Sequence, residues 1–149
     1  AGVERRFDFK INNPRHVFLS DYGHHPKEIL QCTKSLRELY AHRKLTVIFQ
    51  PHLYTRTRDF YADFADALSH FDEVVLTEIY PAREQPIEGV TSKLIYDLRE
   101  GVERTMIAKH DVAEWVRSRD FDVLVVLGAG DLNDYVPEIT RILEEKEKA

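Results

Sequence analysis

A chain of 149 residues with 43% apolar side chains, six glycines and six prolines has the composition of one globular domain, not of a disordered or fibrous segment. Its net charge of −5 gives no reason to expect a nucleic-acid partner, and its one cysteine, Cys32, excludes an intramolecular disulfide and a thiolate metal cluster. No run approaches the ~18 apolar residues needed to cross a bilayer and no signal peptide is visible, so the expected compartment is the cytoplasm.

Ala1 to Phe7 carries no initiator Met and leads almost at once into a strand pattern. The expectation is a single domain, 1–149, cut from a longer protein. Phe7 to Ile11 alternates apolar and polar, as a half-exposed strand does. Asn12-Asn13-Pro14 is turn chemistry, and Val17 to Leu19 is a short apolar strand. Pro26 suits the first turn of a helix. Ile29, Thr33, Leu36 and Tyr40 then share a face, which predicts a helix over about 26–41. Leu45 to Phe49 reads as a buried parallel strand.

Phe60, Phe64 and Leu68 recur at spacing four, which predicts a helix over 57–71. Glu73 to Thr77 is a further buried strand. Glu78 to Val90 contains two prolines and a glycine and reads as a long loop of the kind that carries function. A short helix over Thr91 to Arg99 and a weak strand over Thr105 to Ala108 follow. Asp111 to Arg119 is helical, Phe121 to Leu127 is the most apolar strand, and Asp131 to Lys146 is a helix interrupted near Pro137. Alternation of this kind predicts an α/β fold: a Rossmann-like three-layer domain, its mostly parallel sheet of about six strands covered by helices on both faces.

Two polar segments directly follow apolar runs: Asp21-Tyr22-Gly23-His24-His25-Pro26 and Gln50-Pro51-His52-Leu53-Tyr54-Thr55-Arg56-Thr57-Arg58. At the carboxyl edge of a parallel sheet such segments bind ligands. Asp21 can accept hydrogen bonds from a ribose diol, or simply close a turn on its own backbone. Of the two adjacent histidines, one is expected to enter the cleft while the other caps or packs. A metal site combining one of them with His52 and Asp21 is the alternative. Arg56 and Arg58 at a helix start suit an anion, through guanidinium forks and free N–H groups. The competing reading has them solvated against Asp59 or Asp63. Gly128-Ala129-Gly130 is a fragment of a dinucleotide fingerprint whose simpler meaning is close approach of a neighbour or a ligand. No glycine precedes a lysine, so there is no GxxxxGK[ST] phosphate loop.

Taken in order, these segments resemble the C-terminal domain of the Mur ligases. Asp21 to Pro26 is similar to the DYGHHP signature of the alanine-adding branch, and Phe49 to Arg58 to its FQPHRYTRTR signature. Arg5 to Phe9, Glu78 to Glu84 and Gly128 to Asp131 match in kind and order. Murein-peptide ligases share the first signature but differ in the second. The resemblance implies ATP-dependent joining of L-alanine to UDP-N-acetylmuramate through an acyl phosphate, with ATP and Mg2+ held mainly by a central ATPase domain and the nucleotide sugar by an N-terminal domain.

Carried over by position, the resemblance gives Arg6, Asp21 and Tyr22 to the nucleotide. It gives His24, His52, Arg56, Gly128, Ala129 and Gly130 to the L-alanine side. No catalytic residue and no metal ligand is assigned to this segment. The family often has Arg where this chain has Leu53, which raises the question whether Arg58 takes its place. A murein-peptide ligase domain and a non-catalytic nucleotide-binding module are the alternative functions.

Overall fold

The structure, a computed structural model, describes residues 7–97 and 101–148. Six strands form one sheet: β1 (Asp8–Asn12), β2 (Val17–Asp21), β3 (Leu45–Phe49), β4 (Glu73–Leu76), β5 (Glu103–Met106) and β6 (Val123–Leu127). Their spatial order is β1-β2-β6-β3-β4-β5. Only β1 runs antiparallel to its neighbour, with an irregularity between Phe9 and Ile11. All other pairs are parallel.

Every residue of β2, β3, β4 and β6 is buried, because helices cover both faces. Strand alternation divides the apolar side chains between two cores. Val17, Leu19, Val47, Phe49, Val125 and Leu127 point to one face. There they meet Ile29 and Leu36 of α1 (Pro26–Leu39) and Phe64 and Leu68 of α2 (Tyr54–Leu68). Ile95 of the short α3 (Lys93–Tyr96) joins the same core. Phe18, Ile48, Leu124 and Val126 point the other way. They pack on Val112 and Val116 of α4 (Val112–Arg117) and on Ile139 and Leu143 of α5 (Val136–Lys148). Full burial of one such side chain contributes roughly 1.5–3 kcal/mol, so both layers are held firmly on the sheet.

Several boundaries differ from the sequence-based expectation. The helix expected from residue 57 begins at Tyr54, three residues earlier. The strand expected at 105–108 lies two residues earlier, and the one expected from Phe121 begins at Val123. The helix expected over 91–99 has only its Lys93–Tyr96 turn among the described residues. Asp131–Tyr135 forms a 3-10 turn, and the α-helix proper starts at Val136. Pro137 therefore sits in a first turn, where its missing N–H leaves no bond unmade.

The chain returns through β5 and α4 to insert β6 between β2 and β3. Asp21, Leu127 and Phe49 lie level with one another in the register. The segments that follow β2, β6 and β3 therefore emerge side by side at one edge, the topological switch point of an open α/β sheet.

Candidate functional site

Backbone bonds extend the sheet one step past its strands at this edge. The Gly128 N–H donates to the Asp21 carbonyl at 3.0 Å and the Gln50 N–H to the Leu127 carbonyl at 3.2 Å. On the far side, Leu53 N–H donates to the Tyr80 carbonyl and Tyr80 N–H to the Pro51 carbonyl, each at 2.8 Å. Four segments, after β2, β6, β3 and β4, are thus laced into one floor.

The two signature segments meet through their histidines. The His24 and His52 rings lie 5.7 Å apart, and His52 stacks on Tyr80 at 5.6 Å with 23° between planes. His52 Nδ1 is 3.1 Å from Arg56 Nη1. A guanidinium only donates, so Nδ1 must hold a lone pair and the His52 proton resides on Nε2. Burial, then the charge of Arg56 and then His24 hold the His52 pKa below its ordinary value, which keeps this neutral form at pH 7. His24 Nδ1 lies 3.0 Å from the Tyr22 carbonyl and therefore donates. Its Nε2 is then the acceptor in the neutral ring. His52 thus presents an Nε2–H.

His25 takes the N-cap of α1, where the Glu28 carboxylate accepts from the N–H groups of His24 and His25 at 3.0 and 3.1 Å. His25 thus stands at the N-cap position, while the His24 ring lies beside His52. Asp21 is 1% exposed, and its Oδ1 accepts the Gly23 N–H at 2.7 Å, so at least this oxygen closes a local turn. Tyr22 beside it is 57% exposed at the rim. Arg6, assigned to the nucleotide by resemblance, lies outside the described residues.

The start of α2 departs from expectation. Free N–H groups here would suit an external anion, but the Glu84 carboxylate already occupies the position. Glu84 Oε1 accepts from the Tyr54 and Thr55 N–H groups at 2.6 and 3.1 Å, and Oε2 accepts the Thr55 hydroxyl. The Thr55 hydroxyl bond lowers the Glu84 carboxyl pKa and burial raises it, and with the Thr55 and Tyr54 N–H bonds and the Arg58 charge the net shift is downward. Leu53 cannot cap the helix and adopts φ 76°, a conformation a leucine rarely takes. Arg58 is exposed and turned onto Asp59 at 2.9 Å. Arg58 is thus paired with its neighbour on the helix surface, as the solvated reading has it. Arg56 alone of the pair faces the His52 cluster.

The glycine segment is shaped by neighbours. A Cβ on Gly130 would come within 2.4 Å of Gln50 Oε1 and 2.7 Å of Tyr80 Cγ, and one on Gly128, at φ 143°, within 3.0 Å of the Gln50 carbonyl. Gln50 is fully buried. Its Nε2 donates to Asp131 Oδ1 at 2.7 Å and its Oε1 accepts the Leu132 N–H at 2.9 Å. Asp131 also accepts from Lys109 Nζ, whose own backbone N–H donates to Glu78 at 2.7 Å. Burial raises the Asp131 pKa, but the Gln50 and Lys109 bonds outweigh it and the net shift is downward. Sequence reasoning gave Gln50, Tyr80, Glu84 and Lys109 no roles of their own. Gln50 lies in the second polar segment and Tyr80 and Glu84 in the 78–84 segment that resembles the family, whereas Lys109 lies in neither.

Among the described residues no three His, Cys, Asp or Glu side chains converge as a metal-holding group. His52 Nδ1 is engaged by Arg56, so a site built on that nitrogen is blocked. No described helix is long and apolar enough to cross a membrane.

The family described as "Mur ligase, glutamate ligase domain" matches residues 5–130. The chain belongs to that family. It is 62% identical over 97% of its length to a UDP-N-acetylmuramate–L-alanine ligase of Phocaeicola vulgatus, and 46% identical over 96% to one of Porphyromonas gingivalis. It spans about a third of those relatives, 32% of each. Among solved structures, the UDP-N-acetylmuramate–alanine ligase of Thermotoga maritima superposes with a TM-score of 0.72 at 28% identity, over 97% of this chain and 30% of that one. A murein peptide ligase from Psychrobacter arcticus superposes at 0.70 with 15% identity, over 94% of this chain and 30% of that one, a likeness of fold alone. The three-layer Rossmann-like architecture of this Mur ligase domain is thus shared with its relatives.

Proposed function

We propose that this chain acts as the amino-acid-binding domain of a cytoplasmic, ATP-dependent ligase that joins L-alanine to UDP-N-acetylmuramate in peptidoglycan precursor synthesis. The rest of that enzyme would supply the nucleotide-sugar and ATPase domains, with the phosphate loop and Mg2+. The observation that carries this reading is the His24–His52–Arg56 cluster: a guanidinium fixed against a neutral imidazole, with a second imidazole within 5.7 Å, at the switch point of the sheet.

An amino acid needs two receptors, one for its carboxylate and one for its amine. Arg56 supplies a charged fork for the carboxylate. His52 adds an Nε2–H donor, and its neutral state leaves the positive charge concentrated on Arg56. His24 Nε2 offers the lone pair that a substrate N–H requires. Gly128, Ala129 and Gly130 line the floor beside Tyr80. Asp21 and Tyr22, with Arg6, are proposed to face the adenosine of ATP. Closure of this domain over the acyl phosphate would exclude water from an intermediate prone to hydrolysis. The high identity to alanine ligases, against likeness of fold alone to a murein peptide ligase, favours alanine as the amino acid.

The test is Arg56→Ala in the full-length ligase. Loss of a charge-assisted pair from a partly buried site costs about 2–4 kcal/mol, which raises the KM for L-alanine about 30-fold or more. The KM for ATP stays where it was. An unchanged KM for L-alanine removes Arg56 from the site.

A further inference from the structure

Segment 78–90 touches the amino-acid side at three places, and none of them is explained by packing of the core. The Tyr80 ring lies on His52, the Tyr80 backbone bonds bracket His52 from Pro51 to Leu53, and Glu84 bonds the first turn of α2. We propose that Glu84 is a positioning residue for substrate recognition: its carboxylate fixes the first turn of α2 and thereby aims Arg56 at the amino-acid carboxylate. This rests on the reading that Arg56 receives that carboxylate.

The first N–H groups of α2 have no side-chain cap from the residue before the helix. Leu53 stands at the N-cap with no side-chain acceptor and at φ 76°. The N–H groups of Tyr54 and Thr55 precede the turn's own carbonyls and have no partner within the helix. Glu84, about 30 positions further along, accepts both and takes the Thr55 hydroxyl as well. Arg56 is the next residue, so its Cα direction follows this turn. A guanidinium must lie within fractions of an ångström of its target, and a tilt of the turn is magnified along its long side chain.

Glu84 has a second effect. The positive end of α2 would compete with Arg56 for any incoming anion. With a carboxylate of the protein already bound there, Arg56 is left as the receptor. The same loop that holds the helix start also holds the His52 ring, so donor and guanidinium are set by one segment.

The experiment compares Glu84→Ala, Glu84→Gln and Arg56→Ala in the full-length ligase, reading the KM for L-alanine and for ATP separately. Glu84→Ala is expected to raise the KM for L-alanine about tenfold while the KM for ATP stays within about twofold. Glu84→Gln keeps an acceptor for the N–H groups and recovers most of that loss. If Glu84→Ala lowers thermal stability without moving the KM for L-alanine, or moves both KM values equally, the proposal is overturned. Glu84→Gln as impaired as Glu84→Ala also overturns it. If Arg56→Ala leaves the KM for L-alanine unchanged, the underlying reading has failed. If Arg56→Ala raises it and Glu84→Ala does not, the Glu84 role alone has failed.

Discussion

Replacing Gly130 by alanine tests the floor of the site more directly than any change in its charged groups. Gly130 has φ −96° and ψ −159°, a backbone that alanine adopts freely, so any cost must come from packing. The added Cβ would stand 2.4 Å from Gln50 Oε1, 2.7 Å from Tyr80 Cγ and 2.8 Å from Tyr80 Cβ. Ordinary contact begins at 3.4 Å, so the overlap with Gln50 is about 1 Å. Gln50 cannot swing aside without leaving the Leu132 N–H and Asp131 behind, and the Tyr80 atoms lie near a backbone tied to Pro51 and Leu53. Overpacking costs about 1–3 kcal/mol and a buried polar group left unpaired about as much again, together about 2–6 kcal/mol. That is a large share of the roughly 5–15 kcal/mol that stabilises a domain. Gly89 is the control. It has φ 81° with nothing within 4 Å of a Cβ, so Gly89→Ala carries only the left-handed backbone cost of about 1–2 kcal/mol. Urea unfolding followed by the fluorescence of Trp115, which packs 5.1 Å from Phe121, measures both. If Gly130→Ala costs no more than Gly89→Ala, the wall of Gln50 and Tyr80 is not rigid and the reasoning fails.

Two pH dependences follow from the same edge. The folded His52 holds its proton less tightly than the unfolded chain does, so its share of stability is present above about pH 6.5 and is lost as pH falls below it. His52→Gln should flatten the stability profile between pH 7 and 5, and an unaltered slope would show that His52 titrates normally. Lys109→Met should cost about 1 kcal/mol at pH 7, through the Lys109–Asp131 pair. Because the folded pKa of Asp131 is depressed, that difference should shrink as pH falls below about 4, and a difference that persists at pH 3 would exclude the charge pair as its source.

The strands were legible because buried parallel strands are written as unbroken apolar runs. The expected boundaries for Leu45 to Phe49 were met at both ends. The start of α2 was not legible. Its N-cap is a leucine, and the group that extends the helix back to Tyr54 is the side chain of Glu84, 30 positions away. Glycines at 128 and 130 were visible as a close approach, but nothing local to them named Gln50 and Tyr80 as the neighbours. The two arginines, alike in sequence, parted by helix geometry. Arg56 lies one turn from His52, while Arg58 falls on the outer surface beside Asp59.

The sequence by itself determined where most strands and helices lie, which faces they bury, and that two polar segments directly follow apolar strands. Those properties depend on periodicity and on side-chain type, which are local. Only the tertiary structure decided that β6 enters between β2 and β3 and so brings His24 beside His52. It alone decided that Tyr80, Glu84 and Lys109 complete the edge. Contacts between residues some 22 to 30 positions apart leave no pattern in a linear chain, and they form only when the sheet sets its strand order.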